Sequence, residues 1–206
     1  TAPNSVIISS STSGLIMSEM QENIENAERF VVGHPFNPPH LIPLVEVVGG
    51  ELTAADVVEW TIDFYNLIGK HAIKINKEVP GHLANRLQAA LWREAVLAVQ
   101  NDLASVEDVN AAVAQGPGLR WALMGPHMIM NLAGGKGGLE QMLSHFAPGI
   151  QGWWQTMMET PNMDQKLQKA LIEGVNKEAG NKNIDDLEKE RDTRLIKLLR
   201  MLQETK

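Results

Sequence analysis

Residues 33–50, GHPFNPPHLIPLVEVVGG, decide the fold: a proline-rich turn leads into an apolar run that ends at two glycines. The run at residues 44–48, LVEVV, predicts a buried β-strand, because β-branched residues favour extended structure and Gly49-Gly50 ends it. Glu46 interrupts this run. A carboxylate is costly to bury without a partner, so the strand predicts a partner for Glu46.

His34, at the start of the same stretch, is the candidate partner. A carboxylate bonded to an imidazole holds the ring in one tautomer and stabilises its protonated form, which makes the histidine a general base. The pattern alone leaves an alternative open. In that alternative Glu46 occupies an outward-facing strand position, and His34 is only a turn residue before Pro35.

Further strands are predicted around this stretch at residues 5–9 (SVIIS), 29–32 (RFVV) and 71–75 (HAIKI). Helices are predicted at residues 15–26, with Leu15, Met20 and Ile24 inward, and from a capping pair, Thr53 and Asp56, to about Gly69. Strands that alternate with helices indicate a parallel or mixed sheet covered by helices. A sheet this small needs neighbours at its edges, so we expect sequence upstream of Thr1 to complete it.

After Pro80-Gly81 the pattern is helical. Helices are predicted at residues 83–100, from Ser105 with Asp108 as its capping partner, at a buried segment 121–132, and at 163–179 and 184–203. The expected organisation is therefore an α/β region at residues 1–79 and a mainly α-helical domain at residues 80–206. The glycine-rich run at residues 134–138 lacks the spacing of a phosphate loop and is expected to be a hinge or turn.

Composition excludes several classes of protein. The 206 residues carry a formal charge of −7 and no cysteine. A nucleic acid or an anionic membrane would need a clustered basic face, and disulfides or thiolate sites need cysteine. The six histidines show no ligand spacing, so no metal site is expected. We expect a cytoplasmic protein with neither a nucleic-acid nor a membrane partner.

Other polar residues are weaker candidates. The hydroxyl cluster at residues 9–13 follows a strand, where ligands of open α/β sheets collect, but a plain serine-rich turn is the alternative. Asn37 is interpreted from the pattern as a turn cap. Asn85 lies among apolar residues one helical turn after Pro80-Gly81. This position predicts that the Asn85 amide is either buried at a cleft or serves as a cap.

Taken together, the residues 33–50, the serine-rich turn and VPGHLANRL at residues 79–87 resemble the L-3-hydroxyacyl-CoA dehydrogenase family. Within that family the chain is most similar to the branch that contains the dehydrogenases of L-carnitine and of L-gulonate, the latter including lambda-crystallin. The resemblance runs from about residue 6 to residue 146.

The resemblance implies a role for each matching residue. His34 is the general base that takes the proton of the substrate 3-hydroxyl, and Glu46 orients and stabilises its ring. Asn85 is an amide near the histidine and the substrate oxygen. Thr12 stands where the family has a catalytic serine. Ser11, Ser13 and Asn37 are implied to lie at the cofactor, NAD.

The resemblance also implies a fold: the C-terminal part of a Rossmann-type domain at residues 1–79, followed by a helical domain that builds a homodimer. The GxGxxG phosphate loop is absent from the sequence. We therefore expect the chain to be a remnant or fragment that lacks most of the NAD site and is inactive alone.

The implied substrate is a 3-hydroxyacyl-CoA or a small 3-hydroxy acid, with L-carnitine and L-gulonate as alternatives. A protein of a different class also remains open, namely a non-catalytic helical dimerisation or structural protein of the crystallin kind. The missing phosphate loop keeps this alternative open, whereas His34, Glu46 and Asn85 favour the enzyme.

Overall fold

The computed structural model describes residues 2–204. The chain divides into two compact units, Thr1–Ala90 and Leu91–Lys206. The first contains a small sheet and the second is helical, as expected for an α/β region followed by a mainly α-helical one. The boundary predicted at residues 79–80 stays a prediction.

The sheet of the first unit has four strands in the order β1-β2-β3-β4. β1 is parallel to β2, β2 is antiparallel to β3, and β3 is parallel to β4, so the sheet is mixed as predicted. The strands are β1 (Ile8–Ser10), β2 (Phe30–Pro35), β3 (Leu44–Gly49) and β4 (His71–Lys74).

Helices cover both faces of this sheet. Val31 and Val47 pack with Val57 and Val58 of α2 (Ala55–Leu67) on one face. The neighbouring residues Val32 and Val48 pack with Met17 of α1 (Met17–Met20) on the other. Successive side chains in a strand point to opposite faces. His34, two residues after Val32, and Glu46, two residues before Val48, therefore belong to the α1 face.

The helix predicted at residues 15–26 is wrong in extent. α1 has only four residues. Asn23 and Asn26 have φ angles of +62° and +56°, a left-handed conformation that an α-helix cannot contain. Leu15, predicted inward, is 60% exposed, whereas Met17 fills the core.

The capping pair predicted at Thr53 and Asp56 is also wrong. The N-cap of α2 is Ala54, and it makes no side-chain cap bond. The Thr53 hydroxyl instead donates to the Phe30 carbonyl at 2.6 Å and accepts from Gly50 N at 2.8 Å. The Thr53 hydroxyl therefore joins β2 to the turn after β3.

The helices from α3 onward follow in chain order. Their bounds are α3 (Ala84–Gln100), α4 (Val106–Ala114), α5 (Pro117–Trp121), α6 (Pro126–Ala133), α7 (Gly138–Thr156), α8 (Gln165–Ala179) and α9 (Ile184–Glu204). Ser105 caps α4 by accepting from Asp108 N at 3.1 Å, which confirms that predicted helix start.

The single buried helix predicted at residues 121–132 is wrong. The segment contains the end of α5 and most of α6, because Pro126 begins a new helix. Ile129 is buried, but Leu123, Met128 and Leu132 are all more than half exposed. Within residues 2–204, no helix is long and apolar enough to cross a bilayer.

Candidate active site

His34 and Glu46 face each other across the antiparallel strands β2 and β3. His34 Nδ1 lies 2.9 Å from Glu46 Oε2. His34 is 4% exposed and Glu46 is fully buried. The alternative in which Glu46 points outward is therefore wrong. His34 also lies inside β2 rather than on the turn, because the ladder continues to Pro35.

The partner of each His34 nitrogen determines what the ring can do. A carboxylate only accepts hydrogen bonds, so Nδ1 carries the hydrogen and donates it to Glu46. In the neutral ring Nε2 then holds a lone pair. Nε2 has no hydrogen-bond partner within residues 2–204. The pair can therefore accept one proton at Nε2.

The second oxygen of Glu46 is also occupied. Glu46 Oε1 accepts the backbone N–H groups of Leu83 at 2.9 Å and Ala84 at 2.8 Å. These groups lie at the start of α3, where backbone donors have no partner inside the helix and the dipole favours negative charge. Both oxygens of the buried carboxylate thus accept hydrogen bonds from protein donors, which offsets its cost of burial.

Thr12 lies in the loop after β1 and is half-buried. Its Oγ1 accepts from Leu15 N at 3.1 Å and lies 3.5 Å from Gly14 N. These bonds use the lone pairs of the hydroxyl, so its hydrogen remains available to another acceptor. Ser11 and Ser13 flank it and are exposed at the carboxyl end of β1.

Asn85 and Asn37, the two asparagines predicted as site residues, differ in their surroundings. Asn85 Nδ2 donates to the Ser13 carbonyl at 2.8 Å, which joins α3 to the loop at residues 11–14 after β1, called the serine loop below. Within residues 2–204 Asn85 makes no hydrogen bond to His34. Asn37 lies exposed in the loop after β2. The structure therefore brings Asn85 to the serine loop and leaves Asn37 outside this group of hydrogen bonds.

His82 was not predicted as a site residue. It is 2% exposed, and its Nε2 lies 3.1 Å from the Thr12 carbonyl oxygen. Its ring centroid lies 5.3 Å from that of His34. His82 directly follows Pro80-Gly81 in the sequence, and its partner Thr12 lies 70 positions away, so no local pattern indicated its role.

A mixed sheet covered by helices, a buried imidazole–carboxylate pair and exposed hydroxyls after β1 define an α/β protein of the kind in which ligands collect at the carboxyl ends of the strands. Comparison with known families agrees with this class. Residues 1–79 match the model for the NAD binding domain of 3-hydroxyacyl-CoA dehydrogenase, and residues 81–174 match the model for its C-terminal domain. The chain belongs to the 3-hydroxyacyl-CoA dehydrogenase family.

Proteins similar to this chain include L-carnitine dehydrogenases. That of Streptomyces coelicolor is 50% identical over 198 residues, which are 96% of this chain and 62% of that protein. That of Pseudomonas aeruginosa is 42% identical over 201 residues, 98% of this chain and 62% of that protein. The chain therefore spans about three fifths of the length of these relatives.

Solved structures share the fold. A 5-formyl-3-hydroxy-2-methylpyridine 4-carboxylic acid 5-dehydrogenase superposes with a TM-score of 0.80 at 27% identity, covering 98% of this chain and 65% of that one. A 3-hydroxyacyl-CoA dehydrogenase of Archaeoglobus fulgidus superposes with a TM-score of 0.63 at 27% identity, covering 97% and 68%.

The match of residues 1–79 bears on the expectation about the cofactor domain. Because the NAD-binding family model covers this region, the expectation that the chain lacks most of that domain is not supported. The interpretation of the sheet as a remnant has no clear support either.

The serine loop offers a chemical test of whether NAD fits this site. Ser11 and Ser13 are exposed, uncharged hydroxyls, and neither side chain has a hydrogen-bond partner in the described part of the chain. Such groups suit the ribose and carboxamide oxygens of the nicotinamide half. The residues present therefore fit that end of NAD. No residue is assigned to its pyrophosphate, because the sequence contains no GxGxxG motif.

Proposed function

We propose that the protein containing this chain is an NAD-dependent dehydrogenase that oxidises the 3-hydroxyl group of a small 3-hydroxy acid. The observation that carries this proposal is the buried pair of His34 and Glu46, with Nδ1 and Oε2 at 2.9 Å. A buried pair of this kind is costly unless its partners are matched, and it leaves one nitrogen able to take a proton.

His34 is the general base in this proposal. Its Nε2 takes the proton of the substrate 3-hydroxyl, and the bond from Nδ1 to Glu46 fixes the tautomer that makes this possible. The ring gains a positive charge in this step. The negative charge of Glu46 stabilises that charge in a buried site, where water cannot do so.

Thr12 and Asn85 hold the substrate oxygen in this proposal. The Thr12 hydroxyl keeps its hydrogen to donate, because its oxygen already accepts from Leu15 N. Asn85 uses one N–H for the Ser13 carbonyl and retains a second N–H and its oxygen. Both residues would fix the 3-oxygen where His34 can reach its proton.

Bound NAD would supply the acceptor for the hydride that leaves the substrate carbon. Ser11 and Ser13 would hold its nicotinamide half through their exposed hydroxyls, and Asn37 would lie at the same end of the site.

L-carnitine is the substrate that we propose first. The support is the name of the similar proteins, L-carnitine dehydrogenase, at 50% and 42% identity over nearly the whole chain. L-Gulonate and a 3-hydroxyacyl-CoA are the alternatives. A structural protein without activity is not favoured, because such a protein has no need of a buried histidine–glutamate pair.

We also propose that the protein acts in the cytoplasm as a homodimer assembled through its helical region. The second unit exposes large apolar side chains, among them Trp153 at 68% and Trp154 at 64%. Exposed aromatic residues on this scale are typical of surfaces that another protein chain covers.

The test is an assay of the natural full-length protein, following NADH formation with L-carnitine, L-gulonate and 3-hydroxybutyryl-CoA. We expect activity with L-carnitine and its loss in His34→Gln. His71→Gln is the matched control, because His71 is an exposed histidine at the start of β4. An inactive wild type, or a His34→Gln variant with full activity, would contradict the proposal.

A further inference from the structure

His82 has a backbone conformation that needs an explanation. Its φ angle is +53°, in the left-handed region that glycine and asparagine adopt at lower cost than histidine. Its side chain is nevertheless kept and is almost completely buried, at 2% exposure. Residues held in such conformations cluster at functional sites, where contacts of the side chain maintain them.

The contacts of His82 begin with the loop after β1. The backbone carbonyls of three successive residues in that loop all accept hydrogen bonds from the segment 81–85. The bonds are His82 Nε2 to Thr12 O at 3.1 Å, Asn85 Nδ2 to Ser13 O at 2.8 Å and Gly81 N to Gly14 O at 3.3 Å. This segment therefore holds the whole loop that presents the hydroxyl of Thr12.

The His82 ring also packs against the ring of His34, the proposed base. The two imidazole centroids are 5.3 Å apart, and the planes are tilted by 45°. Leu83 and Ala84, the next residues, bind the carboxylate that holds His34. His82 thus contacts both the base on β2 and the backbone of Thr12 in the loop after β1.

The protonation of His82 follows from its partner. A carbonyl oxygen only accepts, so Nε2 of His82 carries a hydrogen and donates it to Thr12. A ring with hydrogen on Nε2 satisfies this bond and ties His82 to the backbone of Thr12.

We propose that His82 is a positioning residue for the reaction, which holds the loop of Thr12 against His34 through the hydrogen on its Nε2. This inference rests on the proposed function. His82 does not contact the reacting atoms in this role. It fixes the distance between the group that donates to the substrate oxygen and the group that takes its proton.

The test compares two variants of the full-length protein. His82→Gly removes the ring and relieves the left-handed backbone, so a folded protein is expected. Its kcat should fall roughly 10- to 100-fold, because small displacements of aligned groups act on the transition state, while KM values change little. His82→Gln keeps a side-chain N–H donor at about the reach of Nε2, so it should recover part of the lost kcat.

Two further measurements separate positioning from folding. Added imidazole should restore activity to His82→Gly, with no effect on the wild type or on the control His71→Asn. Nitrogen-15 NMR of the histidine rings, recorded without cofactor or substrate, should show hydrogen on Nε2 of His82. Circular dichroism at the assay temperature verifies that each variant is folded.

Several outcomes would overturn the inference. These are an unchanged kcat in folded His82→Gly, a change confined to KM, no rescue by imidazole, or an NMR spectrum with hydrogen only on Nδ1 of His82. An inactive wild type with all three substrates overturns the proposed function instead, and the positioning role falls with it. The NMR measurement still tests the bond from His82 to Thr12 in that case.

Discussion

Glu46 caps helix α3 through its Oε1 atom, which accepts the backbone N–H of Ala84 at 2.8 Å. The same carboxylate receives the Nδ1 hydrogen of His34 on its other oxygen. One buried group thus sets both the orientation of the proposed base and the position of the segment that begins α3. Replacing the Glu46 carboxylate by a neutral amide and removing its oxygens altogether should therefore have different effects.

Removing only the charge should abolish most activity. In Glu46→Gln the amide oxygen can still accept from Leu83 and Ala84, so its NH₂ group points at His34. His34 Nδ1 must then accept, and its hydrogen moves to Nε2, which is the wrong tautomer for a base. We expect kcat to fall roughly 10²- to 10⁴-fold in a folded protein.

Glu59→Gln is the matched control for this change. Glu59 pairs with Lys74 on the surface of the first unit, with side chains 60% and 48% exposed. Its loss should leave kcat unchanged, because exposed ion pairs contribute little. Equal kcat values for Glu46→Gln and the wild type would show that Glu46 does not set the tautomer of His34.

Removing the carboxylate altogether should destabilise the fold. Glu46→Leu leaves the N–H groups of His34, Leu83 and Ala84 without their buried acceptor. Breaking such a buried arrangement costs about 3–5 kcal/mol, and we expect a loss of this size in urea unfolding monitored by circular dichroism. Glu46→Gln should lose clearly less. Equal losses for the two variants would contradict a capping role for the oxygen.

Gly33, the residue before His34, should tolerate no side chain. A Cβ atom there would lie 2.5 Å from Ser9 Oγ and 2.6 Å from Tyr65 Cε2. Gly33→Ala should therefore shift β2 or Tyr65 and destabilise the protein by about 1–3 kcal/mol. Because His34 is the next residue of β2, its ring should move with the strand, and kcat should fall as well.

Gly152→Ala provides the comparison for Gly33→Ala. Gly152 lies inside α7, and a Cβ atom there would have nothing within 4 Å. This substitution should stabilise the protein by about 0.5–1 kcal/mol, as alanine favours helix over glycine. Thermal unfolding measures both. A Gly33→Ala variant as stable as the wild type would show that the contacts at Gly33 relax without cost.

The sequence predicted three strands and the later helices, but not the ends of β1 or α1. The helices predicted at residues 83–100, 163–179 and 184–203 match α3, α8 and α9 to within two residues, whereas β1 begins at Ile8 rather than at residue 5. The apolar runs around Val31, Val47 and Ile73 were sufficient to find β2, β3 and β4, because β-branched runs between turns have few other interpretations. The prediction of a helix at residues 15–26 failed for a local reason. Asn23 and Asn26 adopt left-handed backbone conformations, and the apolar spacing around them does not reveal this.

The sequence predicted only part of the candidate site. Glu46 stood out because a charge within an apolar strand needs a partner, and His34 was the suitable one nearby. His82 depends on contacts between residues 70 positions apart in the chain, His82 and Thr12, and no local pattern contains them. Spacing rules test for metal ligands or helix faces, so a histidine that bonds a distant carbonyl escapes them.

The last prediction concerns the pH dependence of Glu190 on α9. Lys182 donates a hydrogen bond to this carboxylate and Arg194 adds a second positive charge, so the pKa of Glu190 lies below its usual value of 4.5. A carboxyl group with a lowered pKa in the folded state contributes stability above its unfolded pKa. That contribution is lost as the pH falls through the folded pKa.

Lys182→Gln removes the largest cause of the lowered pKa and should raise the pKa of Glu190 towards its usual value. Carbon-13 NMR titration of the carboxyl group measures this shift, with Lys169→Gln as the control because Lys169 pairs with Glu173 instead. An unchanged titration of Glu190 in Lys182→Gln would show that Arg194 alone lowers its pKa.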